Sequence, residues 1–402
     1  MPFSIAPLRS LDTFIQLAGP PVWSRRLAEL GRSGTLGPRA GQALRQRHAI
    51  ELTLERLRHR PDRSFTPAER RVVELAGELV LLAGDLGADG RRRLIGWLRR
   101  SLEGPETLVP LFHLLRTAAL QRSRGFAVHF AGLQDGAPFD LLLRRDRAEA
   151  EVVCAVVSAE EGRGVHRGAW FRLADRIDPD LQTWLAAHPG RYVLKMTLPQ
   201  GLQGGLCGPD AGDALARLHQ RIRTLLESRH RHDHDEALVL RLDPLLLAAA
   251  QADELGLLSR LRREFGPEAH LSVTTAGAGV FVMAARAGRE NEIAAAIRRH
   301  LAALAEDRLT GTRPGILAMF VEDTDRDEWR GLRERLELEG EARQFLANPA
   351  ARRVVAVTCT SRLELFGLPE PDAAAGGELR FRNPGHPAAK LAALAPAVLS
   401  SV

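Results

Sequence analysis

Residues 126–158, which read FAVHFAGLQDGAPFDLLLRRDRAEAEVVCAVVS, decide the fold class of this chain. Three runs within them are rich in apolar residues and have the length of strands: 126–131, 139–144 and 150–158. The turn-forming residues 135–138 separate the first two runs, and the polar residues 145–149 separate the last two. Because such short connections can join only antiparallel neighbours, the stretch predicts a three-stranded antiparallel meander.

The residues on either side of the meander predict helices. Apolar residues at helical spacing predict a helix over 106–122. A second helix is predicted over 169–187, with an interruption near Asp178-Pro179, and a strand over 192–197 follows it. Residues 105–200 therefore predict an α-β-β-β-α-β core.

The rest of the chain adds a helical region and a second α/β region. Residues 1–104 are predicted to be helical, and Thr66-Pro67-Ala68-Glu69 forms a capping box with proline at the first helical position. After residue 236, strands at 237–242, 271–275, 280–285, 316–322 and 354–360 alternate with helices at 245–265, 290–305 and 327–346. An edge strand is predicted at 379–383. The predicted organisation is α/β: a helical region at 1–104, a core at 105–228 and a C-terminal α/β region at 236–402.

Composition indicates a globular protein with a basic surface. Hydrophobic residues make up 45% of the 402 residues and charged residues 26%, which is typical of globular chains. A net charge of +6 and a pI near 10.1 allow a polyanionic partner, although acidic and basic residues are interspersed. No apolar run approaches the ~20 residues of a membrane span, and residues 1–19 lack the pattern of a signal peptide, so we expect no membrane partner and a cytoplasmic location. Nearly all basic residues are arginine, and the two lysines are Lys195 and Lys390.

The order of elements, together with Pro138-Phe139-Asp140 and the segment 151–167, resembles the PD-(D/E)XK or restriction-endonuclease-like nuclease superfamily. In that superfamily an aspartate at the second core strand and an acid-x-lysine triplet on the third hold one or two divalent metal ions. The carboxylates bind a hard cation such as Mg²⁺, and the cation activates water and neutralises the scissile phosphate. The resemblance places Asp140 at the position of the first acid.

The third strand departs from the family pattern. Side chains alternate along a strand, so Glu151, Val153 and Ala155 share one face. The resemblance places the acid and the lysine at positions 153 and 155, where valine and alanine can neither bind a metal nor activate water. Glu151 lies ~6.6 Å along the strand from residue 153, at ~3.3 Å per residue, which is outside the reach of the same ion. We therefore expect catalysis to be lost.

An alternative is an active Mg²⁺-dependent nuclease with a rearranged site. In that alternative Asp140 and Glu151 bind the metal and Lys195 supplies the missing amine, because the resemblance places the next strand beside the third. Without that activity we expect no cofactor.

The loop between the third strand and the next helix is a candidate nucleic-acid contact. Glycines within it allow close approach of a phosphate, and the loop precedes a helix N-terminus, where anions are favoured. The donors would be Arg163, His166, Arg167 and Arg172. The function predicted from the sequence is therefore that of a degenerate nuclease-fold protein that binds DNA, RNA or a partner protein. A third alternative is an interaction protein with no nucleic-acid role.

Overall fold

The computed structural model of the chain describes residues 6–32, 37–59, 64–206, 212–228, 230–245, 261–262, 264–266 and 268–401. It has the predicted α/β class, with two mixed sheets and many helices. In the described residues no helix is both long and apolar enough to cross a bilayer. The chain divides into two compact units: unit 1 comprises 1–31, 47–161 and 294–402, and unit 2 comprises 32–46 and 162–293. The units differ from the predicted ranges, because unit 1 combines most of the helices before residue 105 with the strands after residue 314, whereas most of the helix Pro38–Arg47 belongs to unit 2.

The helices are α1 Ala6–Ala18, α2 Pro20–Arg32, α3 Pro38–Arg47, α4 Ala49–Arg58, α5 Pro67–Asp85, α6 Ala88–Arg100, α7 Val109–Ser123, α8 Ala131–Gln134, α9 Arg167–Ala187, α10 Gly212–Glu227, α11 Ile293–Asp307, α12 Arg326–Glu334, α13 Glu337–Leu346, α14 Arg362–Leu365 and α15 Ala395–Val398. The strands are β1 Ala127–His129, β2 Leu141–Arg145, β3 Ala148–Ser158, β4 Arg191–Leu198, β5 His232–His234, β6 Val239–Pro244, β7 His270–Ala276, β8 Gly279–Ala287, β9 Gly315–Glu322, β10 Val354–Ser361 and β11 Leu379–Arg382.

Unit 1 is built on a six-stranded sheet with the order β1-β2-β3-β9-β10-β11. Strands β1, β2 and β3 pair antiparallel, as the meander predicts, and β11 is an antiparallel edge strand, as expected. Strands β3, β9 and β10 run parallel to one another. Their N-terminal ends therefore meet at one edge of the sheet and their C-terminal ends at the opposite edge.

The core of unit 1 joins the N-terminal helices to one face of this sheet. Val152 of β3, Ile316 of β9 and Val355 of β10 are fully buried in a cluster with Phe112 of α7 and Leu75 of α5. Helix α5 begins at the predicted capping box, in which the Thr66 side chain accepts from the Glu69 N–H and the Glu69 side chain accepts from the Thr66 N–H. The N-terminal helices thus cover one face of the sheet. The central strands of that sheet carry apolar side chains on both faces.

Unit 2 is built on a five-stranded sheet with the order β5-β6-β4-β8-β7. Strand β4 pairs antiparallel with β6 and parallel with β8. Helices α9 and α10 pack in the same apolar cluster as this sheet, through residues such as Trp170, Ile222 and Phe281. This unit contains the strand that the sequence analysis placed beside β3.

Two predicted helices differ from the observed ones. Helix α9 continues across Pro179, although proline lacks the N–H that a helix interior uses. The helix predicted over 327–346 is two helices, because Leu336 adopts a left-handed conformation with φ of 59° between α12 and α13. The helix predicted over 245–265 falls largely on residues 246–260 and 263, which lie outside the described residues.

Candidate functional site

Asp140, the predicted first acid of the nuclease motif, is hydrogen-bonded to strand β3 and paired with an arginine. It directly precedes β2, and its N–H donates to the Val152 carbonyl at 2.9 Å. Its carboxylate accepts from the Cys154 N–H at 2.8 Å and from Arg308 Nη2 at 3.1 Å. Arg308, which directly follows α11, also donates to the Pro138 carbonyl. Burial raises the pKa of Asp140, and the charge of Arg308 and the Cys154 N–H oppose that rise.

The positions that would complete the motif lie in an apolar wall. Val153 is completely buried, and its register partner on β9 is Leu317. Ala155 lies opposite Met319, which is also completely buried. Strand β9 therefore places an apolar side chain beside each of these positions. Arg308 is the positive charge that balances Asp140.

Glu151, the second predicted metal ligand, has a structural role. Its side chain has 0% exposure. Its carboxylate accepts from the N–H and the hydroxyl of Thr310, from the Thr312 hydroxyl at 3.5 Å, and lies 3.7 Å from Arg313 Nη1. Asp140 and Glu151 have no partner in common among these contacts. Within the described residues no group of three histidine, cysteine or carboxylate side chains is arranged to hold a metal ion.

The expectation that Lys195 lies on the strand beside β3 is wrong. Lys195 belongs to β4 of the second sheet, whose neighbours are β6 and β8, whereas the parallel neighbour of β3 is β9. The Lys195 amine lies 3.5 Å from Asp243 Oδ2 and 5.4 Å from the centre of the Phe265 ring. The physical reason is that residues 162–293 form a unit with its own sheet, so the next strand in sequence pairs inside that unit.

The four predicted nucleic-acid contacts all lie in unit 2 and differ in exposure. Arg163 is 4% exposed, which leaves little guanidinium surface for a polyanion. His166 is half-buried, and its Nδ1 accepts from the Gly204 N–H at 3.2 Å. Arg167 and Arg172 are half-buried, and Arg172 donates to the Gly205 carbonyl at 3.3 Å. Of the four, Arg167 and Arg172 leave the most cationic surface accessible.

Unit 1 contains a basic cavity of about 480 Å³ that was not predicted from the sequence. The cavity lies at the N-terminal edge of β9 and β10, and its lining residues are Thr310, Gly311, Thr312, Arg313, Pro314, Arg352, Arg353 and His386. None of these described lining residues is acidic. Two sequence signals mark the cavity: a Thr-Gly-Thr-Arg-Pro segment before one buried strand and an Arg-Arg pair before the next.

Glycines allow the loop at the cavity to pass close to its neighbours. Gly311 has φ of +77°, a conformation that side chains rarely adopt. A Cβ atom at Gly315, the residue opposite Glu151 on β9, would lie 2.3 Å from Leu309 Cδ1. The glycines therefore let the loop fold back over the Glu151 carboxylate.

The opposite edge of the same strands is acidic. Glu322 ends β9 and Asp323 follows it. Ser158, at the end of β3, donates to Asp323 Oδ2 at 2.6 Å, and Arg47 Nη1 donates to both Asp323 oxygens at 3.2 and 3.3 Å. Burial and then the neighbouring Asp323 charge raise the pKa of Glu322 to about 7, while Arg47 and a hydrogen bond from Thr107 oppose the rise.

Comparison with known proteins does not assign this site. No protein-family model matches the chain, and neither a curated protein nor a solved structure is significantly similar to it.

Proposed function

We propose that this protein is a catalytically inactive nuclease-like protein that binds nucleic acid without cutting it. One observation carries the proposal: Asp140 is present beside β3, yet Arg308 neutralises it, and Val153 and Ala155 stand where the acid and the lysine would be. A carboxylate that is already paired with a guanidinium has less to gain from binding a cation. The strand beside β3 is β9, whereas the strand predicted at 192–197 belongs to the second sheet.

The charge of the chain supports a nucleic-acid partner over a neutral one. The net charge is +6, and the cavity at the N-terminal edge of β9 and β10 adds a local concentration of arginine. Phosphate contacts account for most sequence-independent affinity for nucleic acid and make it dependent on salt. Arg167 and Arg172 of unit 2 remain proposed contacts because part of each side chain is accessible.

The cleavage test compares the wild-type protein with Asp140→Asn on single-stranded and duplex DNA and RNA, in Mg²⁺ and in Mn²⁺. We expect no cleavage by either protein. Cleavage by the wild type that Asp140→Asn abolishes would overturn the proposal in favour of the active enzyme. Equal residual cleavage by the two proteins would identify a contaminating nuclease, because a metal site at Asp140 requires its carboxylate.

The binding test is a fluorescence-anisotropy titration at several salt concentrations. We expect affinity to fall steeply with salt and to show no preference for sequence. An Arg167→Ala, Arg172→Ala double variant should reduce the slope of log affinity against log salt by about two units on a duplex, at ~0.9 per phosphate. The matched control is Arg45→Ala, an exposed arginine of unit 2. Absence of binding at ~50 mM salt would contradict the proposal and favour a protein partner.

A further inference from the structure

The cavity of unit 1 presents more hydrogen-bond donors than the protein itself uses. Arg352 is exposed, and among the described residues its guanidinium has no hydrogen-bond or ion-pair partner. Arg353 donates through Nη1 to the Leu309 carbonyl at 3.0 Å and has no carboxylate partner in the described part of the chain. A guanidinium carries five N–H groups, so both arginines retain donors for a ligand.

His386 adds a directed neutral donor. Its Nδ1 accepts from the Ala388 N–H at 3.1 Å, so the neutral ring carries its proton on Nε2. Burial lowers the pKa of His386, which favours this neutral form at physiological pH. The imidazole therefore offers an N–H to the cavity it lines.

The loop 310–314, which lines the same cavity, is held in place by hydrogen bonds to Glu151. The Thr310 hydroxyl donates to Glu151, and the Thr312 hydroxyl lies 2.7 Å from that of Thr310. Arg313 Nε donates to Glu149 at 2.5 Å, while its Nη1 lies 3.7 Å from Glu151. The threonine hydroxyls are thus already hydrogen-bonded inside the protein. The groups left to donate hydrogen bonds to a ligand are the arginines and His386.

We propose that this cavity binds the phosphate group of a nucleotide, either a free mononucleotide or the phosphorylated end of a strand. Guanidinium groups match phosphate oxygens in geometry and in charge. A volume of about 480 Å³ falls within the range of small-molecule sites and leaves room for a sugar and a base beside the phosphate. The inference deepens the proposed function, since it assigns a phosphate-binding site to the nuclease-like unit.

The test uses the full-length protein and three probes. Inorganic phosphate and a nucleoside 5′-monophosphate are titrated by calorimetry, and single-stranded oligonucleotides with and without a 5′-phosphate are titrated by anisotropy through a 3′ label. The variant is Arg352→Ala, which removes an exposed side chain. The matched control is Arg91→Ala, an exposed arginine on α6 of the same unit. Thermal unfolding shows whether both variants fold as the wild type does.

We expect Arg352→Ala to weaken mononucleotide binding about tenfold to a hundredfold, the loss of one hydrogen bond to a charged group, and Arg91→Ala to leave it unchanged. A 5′-phosphate that strengthens oligonucleotide binding only when Arg352 is present identifies the strand end as the ligand. An advantage restricted to the mononucleotide identifies the free nucleotide.

Two results separate this inference from the proposed function. Suppose oligonucleotides bind with the expected salt slope, but neither mononucleotide binding nor the effect of the 5′-phosphate is detectable or depends on Arg352. That result would overturn the cavity as the phosphate site and leave the proposed function standing. Arg352-dependent mononucleotide binding by a protein that binds no oligonucleotide would support the cavity and overturn the proposed function.

Discussion

The two edges of the parallel strands β3, β9 and β10 show two ways of burying a carboxylate. At the N-terminal edge, Glu151 is completely buried but accepts hydrogen bonds from Thr310 and Thr312 of the neighbouring loop. At the C-terminal edge, Glu322 and Asp323 are consecutive, and Arg47 is the cation paired with both. Burial and the second acid raise the pKa of Glu322 to about 7.

The comparison teaches that the surroundings of a buried acid decide its role. Glu151 is satisfied by its own loop and therefore acts as a fixed anchor for a cationic cavity. Glu322 shares one arginine with a second acid, so it can gain or lose a proton near neutral pH. One sheet thus carries an arginine-lined cavity at one end of its parallel strands and, at the other end, an acid whose charge depends on pH.

The largest effect is expected for Glu151→Ala. Removing this carboxylate leaves the N–H and the hydroxyl of Thr310 without their buried acceptor, and each lost hydrogen bond to a charged group costs about 1.5–3 kcal/mol in the free energy of unfolding. Urea denaturation followed by circular dichroism measures the loss. The control is Glu149→Ala, which removes an acid that contacts the same Arg313 but is 33% exposed and should cost at most about 1 kcal/mol. Equal losses for the two variants would show that Glu151 is not the anchor.

The second prediction concerns Glu322 and pH. Below pH 4.5 its carboxyl is protonated in both the folded and the unfolded chain, and between pH 4.5 and about 7 the folded chain alone retains the proton. Stability therefore falls as pH rises through this window, and the full penalty above it is on the order of 3 kcal/mol.

Glu322→Gln should remove this penalty, so the variant gains stability over the wild type at pH 8 and gains little at pH 5. The test is to measure the free energy of unfolding of Glu322→Gln and of the wild type by urea denaturation at both pH values. Glu334→Gln, the same substitution at an exposed position of α12, should show no such pH dependence. A constant difference between Glu322→Gln and the wild type across the pH range would contradict the raised pKa.

The smallest effects are expected for one hydroxyl at each edge. Ser158→Ala removes a hydrogen bond to the charged Asp323 and should cost about 1.5 kcal/mol. Thr312→Val removes a hydroxyl whose short contact is to the neutral Thr310, and its cost should be about 0.5–1 kcal/mol. Both losses are measurable as shifts in the urea midpoint. A larger loss of stability for Thr312→Val than for Ser158→Ala would contradict the expectation that the hydrogen bond to the charged Asp323 is the stronger of the two.

Local features of the candidate site could be read from the sequence. The turns around residues 135–138 and 145–149 brought β1, β2 and β3 together as predicted, and Asp140 lies at the start of β2. The absence of an acid and a lysine at positions 153 and 155 is visible in the sequence itself. Arg308 and Arg352 could not be linked to this region, because they lie far along the chain and reach it only through the pairing of β3, β9 and β10.

The α/β class, the meander and the apolar character of β3 follow from local sequence patterns, since hairpin turns and side-chain alternation act between near neighbours. Tertiary structure decided that β9 pairs with β3, that Lys195 belongs to another sheet and that Glu151 anchors a loop. A parallel pair needs a crossover connection, and here residues 162–293 intervene and form a unit of their own. Which strand closes such a crossover depends on packing between distant segments, and no local pattern encodes it.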